Sequence, residues 1–317
     1  MQYRQLGKSG VRVSVIGLGA NRFGNERMPQ AEVDRVIAAA ADLGINFIDT
    51  ANVYQGGCSE ETLGKALEGR REQFVVATKF TNRTGDGPND WGASRYNLYQ
   101  SVEASLRRLR TDRIDLYYVH NFDQTTPVEE MLRGLDDLVR AGKLRYIGAS
   151  NFAAWQAARC NTLADDRGWS PFVASQVHYH LLERGAEREM LGFCHSRGVG
   201  LIPYYPLAGG FLTGKYRRGE PAPAGSRGES NGYVQQYMTG ANYTILERLS
   251  ALAAGEGRTL GDLAHAWLLA HPEVSSVISG ATRLEQVQEN VKAADWALTP
   301  ETVAAVDDIL AGKKALD

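Results

Sequence analysis

The chain has 317 residues, 43% apolar and 23% charged, with a formal net charge of −2. That length and balance describe a globule with one large α/β domain or two average ones. Nothing in that balance suggests a nucleic-acid or anionic-membrane partner. No apolar run approaches the ~18 residues of a membrane-spanning helix, and MQYRQLGKSG at the start lacks the apolar core of a signal peptide. Cys58, Cys160 and Cys194 are odd in number and far apart. This argues against a disulfide framework and for a reducing cytoplasm, and no Cys or His spacing resembles a metal site. Asn82-Arg83-Thr84 and Asn242-Tyr243-Thr244 fit the glycosylation pattern, but without a leader both read as chance.

In chain order, Tyr3–Leu6 and Val11–Val13 flank Gly7-Lys8-Ser9-Gly10 and predict a small hairpin. Val15–Gly19 is the first core strand. Pro29 opens a helix to Ala41, with Val33, Val36, Ile37 and Ala40 on one face. Ile45–Ile48 is a buried strand ending at Asp49. Tyr54 follows in the loop, and Ser59-Glu60-Glu61-Thr62 reads as the cap of a helix to Leu67. Phe74–Lys79 is a strand, and its polar loop carries Trp91. Ser94–Arg110 is a helix, Ile114–Val119 a strand closing on His120, and Pro127–Arg140 a helix. Leu144–Ala149 is a strand ending in Ser150-Asn151, and Trp155–Ala164 a helix. Phe172–Val177 is a strand with Gln176 near its end, Glu187–Ser196 a helix, and Val199–Pro203 a strand entering Tyr204-Tyr205-Pro206. The stretch Leu207–Tyr243 reads as a long irregular loop, of a length that is usually functional or mobile. Helices Tyr243–Ala254 and Leu260–Leu269, strand Val274–Ser279 and closing helices Leu284–Ala293 and Pro300–Leu310 complete the chain.

Strand and helix alternate eight times, and the strands are short and apolar on both faces, as in a parallel sheet. Eight such units in roughly 250 residues fit a (β/α)8 TIM barrel, here with an N-terminal hairpin and extra C-terminal helices. A doubly wound sheet uses the same alternation and is the alternative. No linker divides residues 1–317, so a single domain is expected.

In a parallel barrel every strand aims its C-terminal end at one face, so strand-end residues converge without being close in sequence. Those residues are Asp49 with Tyr54, Lys79, His120, Ser150 with Asn151, Gln176, Tyr204, and Gly280 with Thr282. A tyrosine ordinarily titrates near ~10, which is high for acid–base work at neutral pH. An ammonium beside it favours the phenolate. Lys79 can supply that charge, Asp49 can hold Lys79, and His120 can orient a carbonyl. Together they suit proton delivery to a developing alkoxide, with hydride arriving from elsewhere. Singly, each has a bland reading: Asp49 as a turn cap, Tyr54 as loop packing, Lys79 as a snorkelling strand end, His120 as a hydrogen-bonded core histidine.

The chain resembles the aldo-keto reductases. The likeness lies in Asp49–Tyr54 (DTANVY), Thr78-Lys79, Val119-His120, Ser150-Asn151-Phe152, Tyr204–Leu207, Thr213–Tyr216 and Gly280-Ala281-Thr282 with Gln286, Glu289 and Asn290. It runs from about Leu6 to Asn290, and its wording is nearest the branch with bacterial reductases and potassium-channel β subunits. The resemblance implies a barrel using NADPH/NADP+ without a Rossmann domain, and a small carbonyl or alcohol substrate. It implies Tyr54 as general acid, Lys79 and Asp49 as its tuning pair, and His120 orienting the carbonyl. Ser150, Asn151 and Gln176 would hold the nicotinamide carboxamide, and Tyr204 would stack on its ring. Backbone at Leu207, Gly209 and Leu212, with Lys215, would approach the pyrophosphate. Thr282, Gln286, Glu289 and Asn290 would hold the adenosine end, and Gly280 belongs to the same cofactor segment. Arg227, aided by Lys215 and Arg283, would favour the 2′-phosphate of NADPH, which wants charge-assisted donors. Relatives commonly carry Ser where Tyr205 stands. The channel β subunits replace the histidine that this chain keeps as His120.

For substrate, Trp91 is expected to wall the pocket with Tyr54 and His120, and Phe23, Phe122 and Tyr205 to add apolar surface. Two decoys are dismissed. Gly17–Gly24 has the wrong glycine spacing for a dinucleotide fingerprint. Gly209–Lys215 begins like a phosphate loop, but Tyr216 stands where a magnesium-holding hydroxyl belongs. The alternative to a reductase is an NADP(H)-binding, redox-sensing regulatory subunit. A third reading is a hydrolase using Asp49 and His120 without nucleotide. No nucleic-acid or membrane partner is expected, and a homo-oligomer is compatible with the sequence.

Overall fold

The structure is a computed structural model and describes residues 1–311. Two strands, β1 (Tyr3–Gln5) and β2 (Arg12–Ser14), pair antiparallel as the expected hairpin. The barrel then begins with β3 (Ile16–Gly19), α1 (Gln30–Asp42), β4 (Phe47–Asp49), α2 (Cys58–Ala66), β5 (Val75–Phe80) and α3 (Arg95–Leu109). It continues through β6 (Ile114–Val119), α4 (Val128–Arg140), β7 (Leu144–Ser150), α5 (Ala154–Arg167), β8 (Phe172–His178), α6 (Met190–Arg197) and β9 (Gly200–Tyr204). Three helices follow, α7 (Gly232–Gln235), α8 (Gly240–Gly255) and α9 (Leu260–Leu269), before β10 (Val277–Gly280), α10 (Leu284–Lys292) and α11 (Pro300–Ile309). Strands β3 to β10 close into one all-parallel barrel in the order β10-β3-β4-β5-β6-β7-β8-β9, so the doubly wound alternative is set aside.

Residues two apart on a strand share a face. Near the hairpin the inward residues are apolar: Phe47, Ala77, Leu116, Ala174, Ile202 and Ile278 form one cluster with Leu6 and Val13. The hairpin therefore plugs that end of the barrel. Two residues farther along the same strands stand Asp49, Lys79, Tyr118, Gln176, Tyr204 and Gly280, and two more bring His120 and His178. Strands β4, β5, β6, β8 and β9 are apolar at the plugged end and polar at the open end, and β10 ends there in Gly280. This period-two pattern builds the site. Gly148 leaves room for it on β7, since a Cβ there would lie 2.7 Å from the Tyr118 ring and 2.8 Å from the Ala174 carbonyl.

Three expectations need correction. Ser59 and Glu60 do not cap α2, whose N-cap is Gly57 at φ 99°. Both are buried and tie neighbouring strands together. Ser59 donates to the Ala20 carbonyl at 2.7 Å, and Glu60 accepts from Thr78 at 2.5 Å and from Arg108 Nε at 2.7 Å. The stretch 207–243 is not irregular throughout. It contains 3-10 turns at Ala208–Thr213 and Arg227–Glu229 and the helix α7, packed through buried Phe211, Tyr216, Val234 and Tyr237. The last barrel strand starts later than expected. Val274 makes only a lone bridge to Leu201, and Ser275 is drawn to the hairpin, donating to the Gln5 carbonyl at 2.8 Å.

Candidate active site

Asp49 ends β4, Lys79 lies on β5, His120 follows β6, and Tyr54 sits in the turn after β4. The structure brings all four together. Lys79 is completely buried. Its Nζ donates to Asp49 Oδ2 at 2.6 Å, to the Thr50 carbonyl at 2.8 Å and to the Tyr54 hydroxyl oxygen at 3.4 Å. Gln176 Nε2 donates to the other Asp49 oxygen at 2.8 Å. The His120 and Tyr54 rings meet edge to face, centroids 5.9 Å apart. All three ammonium hydrogens are thus aimed, one of them at the phenol.

Burial opposes the charge on Lys79 most strongly, but Asp49 and Tyr54 together outweigh it and hold the ammonium above its ordinary pKa. Tyr54 corrects the sequence expectation. Burial, its largest influence, raises the pKa; Lys79 lowers it and Asp49 raises it again, for a net upward shift. The phenol therefore keeps its proton at neutral pH. His120 is pushed down to about 3, first by burial and then by Lys79, so its imidazole is neutral.

The residues expected around a nicotinamide join this network. The Tyr204 hydroxyl donates to Asn151 Oδ1 at 2.9 Å. Asn151 Nδ2 donates to the His120 carbonyl at 3.0 Å and to Ser150 Oγ at 3.2 Å. Asn151 is held at φ 56°, a conformation uncommon outside glycine. Tyr204 is pushed up to about 12, chiefly by burial, and so offers a ring face rather than an acid. Tyr205, the departure from the serine that relatives commonly carry, sits at φ 56° with its ring at 81° to that of Tyr204.

The other expected contacts lie apart from this centre, on the 207–243 segment and on α10. Gly209 and Gly210 adopt φ 68° and 108°, and a Cβ on Gly210 would come within 3.3 Å of Lys215 Nζ. The Leu212 N–H donates to the Leu207 carbonyl at 3.1 Å. Arg227 has its pKa lowered by burial and by the nearby Arg22, and no carboxylate is among the groups that shift it. Thr282 N–H donates to Gln286 Oε1 at 2.8 Å, Asn290 is buried, and Gly280 and Glu289 are exposed. Of the pocket residues, Trp91 is 40% exposed with Arg83 over its ring. Phe23 is fully buried and lines nothing, and Phe122 packs against Phe152 and Trp155.

Sequence reasoning missed two groups. Asn82 lies 3.3 Å from His120 Nδ1, and its only sequence signal was the tripeptide dismissed as chance. The His178 ring stacks on Tyr204, centroids 5.3 Å apart and planes 7° apart. His178 Nε2 also lies 2.6 Å from the Tyr233 hydroxyl and 3.1 Å from His180 Nε2, linking the 207–243 segment to Tyr204. The signal was the alternation Gln176-Val177-His178, which puts His178 on the inner face.

The fold is a closed parallel barrel with a buried lysine, carboxylate and phenol gathered at its open end, the end where sites in this fold are built. The chain belongs to the aldo/keto reductase family, a family of oxidoreductases, whose family model matches residues 15–311. It is 37% identical to an uncharacterized oxidoreductase, YrpG, of Bacillus subtilis (strain 168), covering 98% of this chain and 97% of the relative. It is 38% identical to a probable voltage-gated potassium channel subunit beta of Oryza sativa subsp. japonica, over 99% and 98% of the two chains. It is 35% identical to an L-glyceraldehyde 3-phosphate reductase of Escherichia coli (strain K12), over 92% and 87%. Among the described residues no helix is long and apolar enough to cross a membrane.

Proposed function

We propose that this protein is a cytoplasmic, single-domain NADPH-dependent oxidoreductase that reduces an aldehyde or ketone to an alcohol, reversibly, with Tyr54 as the proton donor. One observation carries the reading: the Tyr54 hydroxyl lies 3.4 Å from a fully buried ammonium that Asp49 fixes in place. A phenol that stays protonated at neutral pH is an acid in the reductive direction. As its proton passes to the carbonyl oxygen, Lys79 offsets the phenolate left behind. In alcohol oxidation the same phenolate takes the proton back. His120, neutral and beside Tyr54, orients the carbonyl, and Trp91 walls its approach.

The residues fit the nucleotide. Tyr204 supplies a ring face beside the amides of Asn151 and Gln176, with Ser150 bracing Asn151. The left-handed turn at Gly209-Gly210 brings backbone next to Lys215, and among the described residues no carboxylate forms an ion pair with Arg227. Leu207 shares that turn. Gly280, Thr282, Gln286, Glu289 and Asn290 would hold the adenosine end, with Arg227 and Lys215 reaching the phosphates. When bound, the dihydronicotinamide supplies the hydride.

The test is a titration with NADPH and NADH, followed by a carbonyl panel read by nicotinamide absorbance. Tyr54→Phe is expected to bind NADPH as tightly as the parent and to lose turnover by about 10²–10⁴-fold. Parental turnover in that variant with any good substrate would remove the assignment. The likeness to a channel subunit supports a second reading, a nucleotide-binding subunit that reports redox state to a partner. Tight NADPH binding with negligible turnover across the panel would favour it.

A further inference from the structure

The β5–α3 loop begins with strain. Thr81 is β-branched and buried, yet it sits at φ 99°, a costly conformation that survives only where neighbours over-determine it. Two hydrogen bonds do so here. The Asn121 N–H donates to Thr81 Oγ1 at 3.0 Å, and the Gly92 N–H donates to the Thr81 carbonyl at 2.8 Å. The consequence falls on the next residue. Asn82 is turned over the outer edge of His120, with its amide nitrogen 3.3 Å from Nδ1. The other end of that amide is engaged too, because Asn121 Nδ2 donates to Asn82 Oδ1 at 2.5 Å.

We propose that Asn82 is a positioning residue that holds His120 in its Nε2–H tautomer. An amide nitrogen only donates, so the Nδ1 it faces accepts and carries no hydrogen. Asn121 supports this orientation by supplying the donor that occupies Asn82 Oδ1. A neutral ring then has its hydrogen on Nε2. Among the described residues no partner engages Nε2, and the His120 and Tyr54 rings meet at 81° with centroids 5.9 Å apart. The open site is therefore offered a donor instead of a lone pair. A carbonyl oxygen held there receives hydrogen bonds from both the phenol and the imidazole. In the opposite tautomer a lone pair would face that oxygen and repel it as negative charge develops. The strained turn at Thr81 keeps Asn82 over the ring, so the tautomer is set before substrate arrives.

The inference rests on the reductase reading for its consequence but not for its first observable. Histidine ¹⁵N NMR on the nucleotide-free protein at pH 8.5, where the imidazole is neutral, reports the tautomer without turnover. The wild type is expected to show Nε2–H. Asn82→Asp places an acceptor against Nδ1 and is expected to move the hydrogen there. Asn121→Asp changes the side chain that holds Asn82 and not one hydrogen-bonded to the His120 ring; its carboxylate takes the Asn82 amide hydrogens, turns Asn82 Oδ1 to the ring and gives the same result. Both variants are expected to lose roughly 10²-fold in kcat/KM for the carbonyl, with NADPH affinity changed less than twofold. A wild-type ring protonated on Nδ1 would overturn the proposal. So would an Asn82→Asp protein that keeps Nε2–H or parental kcat/KM. Nε2–H without any carbonyl turnover would instead count against the reductase reading and leave the tautomer standing.

Discussion

At the scale of single residues, the centre is a buried ion pair that another group uses. Lys79 and Asp49 are within 2.6 Å, with side chains 0% and 5% exposed. Such pairs add little net stability, but removing one partner strands the other. Lys79→Met is expected to cost about 3–5 kcal/mol in chemical unfolding, because the buried Asp49 side chain loses its cationic partner and keeps, among the described residues, only the Gln176 amide as a donor. Adding Asn at Asp49 to that variant should recover most of the loss, and a double-mutant cycle measures the coupling. A double variant whose loss equals the sum of the two single losses would show no coupling. Asp49, Tyr54, Lys79 and His120 were legible because each is a strand-end residue or its near neighbour, and barrel topology alone makes such positions converge. Asn82 and His178 were not. Asn82 reaches His120 only because Thr81 takes a left-handed turn, and no residue type announces that turn in advance.

At the scale of elements, the hairpin is a stopper. Leu6 and Val13 complete an inner cluster that the strands alone leave open at one end. The hairpin is also tied down, since Arg4 donates to the carbonyls of Leu269 and Val274, each at 2.7 Å. Leu6→Ala, at a fully buried position, is expected to cost about 2–5 kcal/mol in urea unfolding. Nucleotide affinity should be unchanged, because the site is at the opposite barrel end. A loss below 1 kcal/mol would mean the hairpin caps nothing. The hairpin was readable from its turn, but its role as a plug was not. The segment 207–243 shows the converse. Its glycines and prolines read as loop, while its spaced aromatics supply the packing that orders it. Tyr233 and Tyr237 meet His178 and His180 across more than fifty residues of chain, a pairing that local sequence does not encode.

At the scale of the whole molecule, the chain carries six histidines, and five have pKa values lowered by burial: His120, His178, His180, His265 and His271. Each is neutral in the fold but takes a proton near pH 6.5 once unfolded. The unfolded chain then binds more protons than the native one as pH falls. Stability is therefore fully present above about pH 6.5 and is lost progressively toward pH 3, where His120 itself titrates. The midpoint of thermal unfolding is expected to be flat from pH 8 to 7 and to drop steadily between pH 6 and 4. A midpoint unchanged from pH 7.5 down to 5 would mean these rings are not buried neutral.

The sequence by itself determined the barrel, the order of its strands and the four groups that meet at its open end. It could do so because period-two alternation and strand-end position are local patterns that parallel topology turns into one face. Tertiary structure alone decided which charges and rings touch. Burial, not the adjacent ammonium, sets the protonation of Tyr54, and a strained turn sets what His120 faces. Both depend on how much solvent the finished barrel excludes and on contacts between strands, and neither quantity exists until the chain has closed.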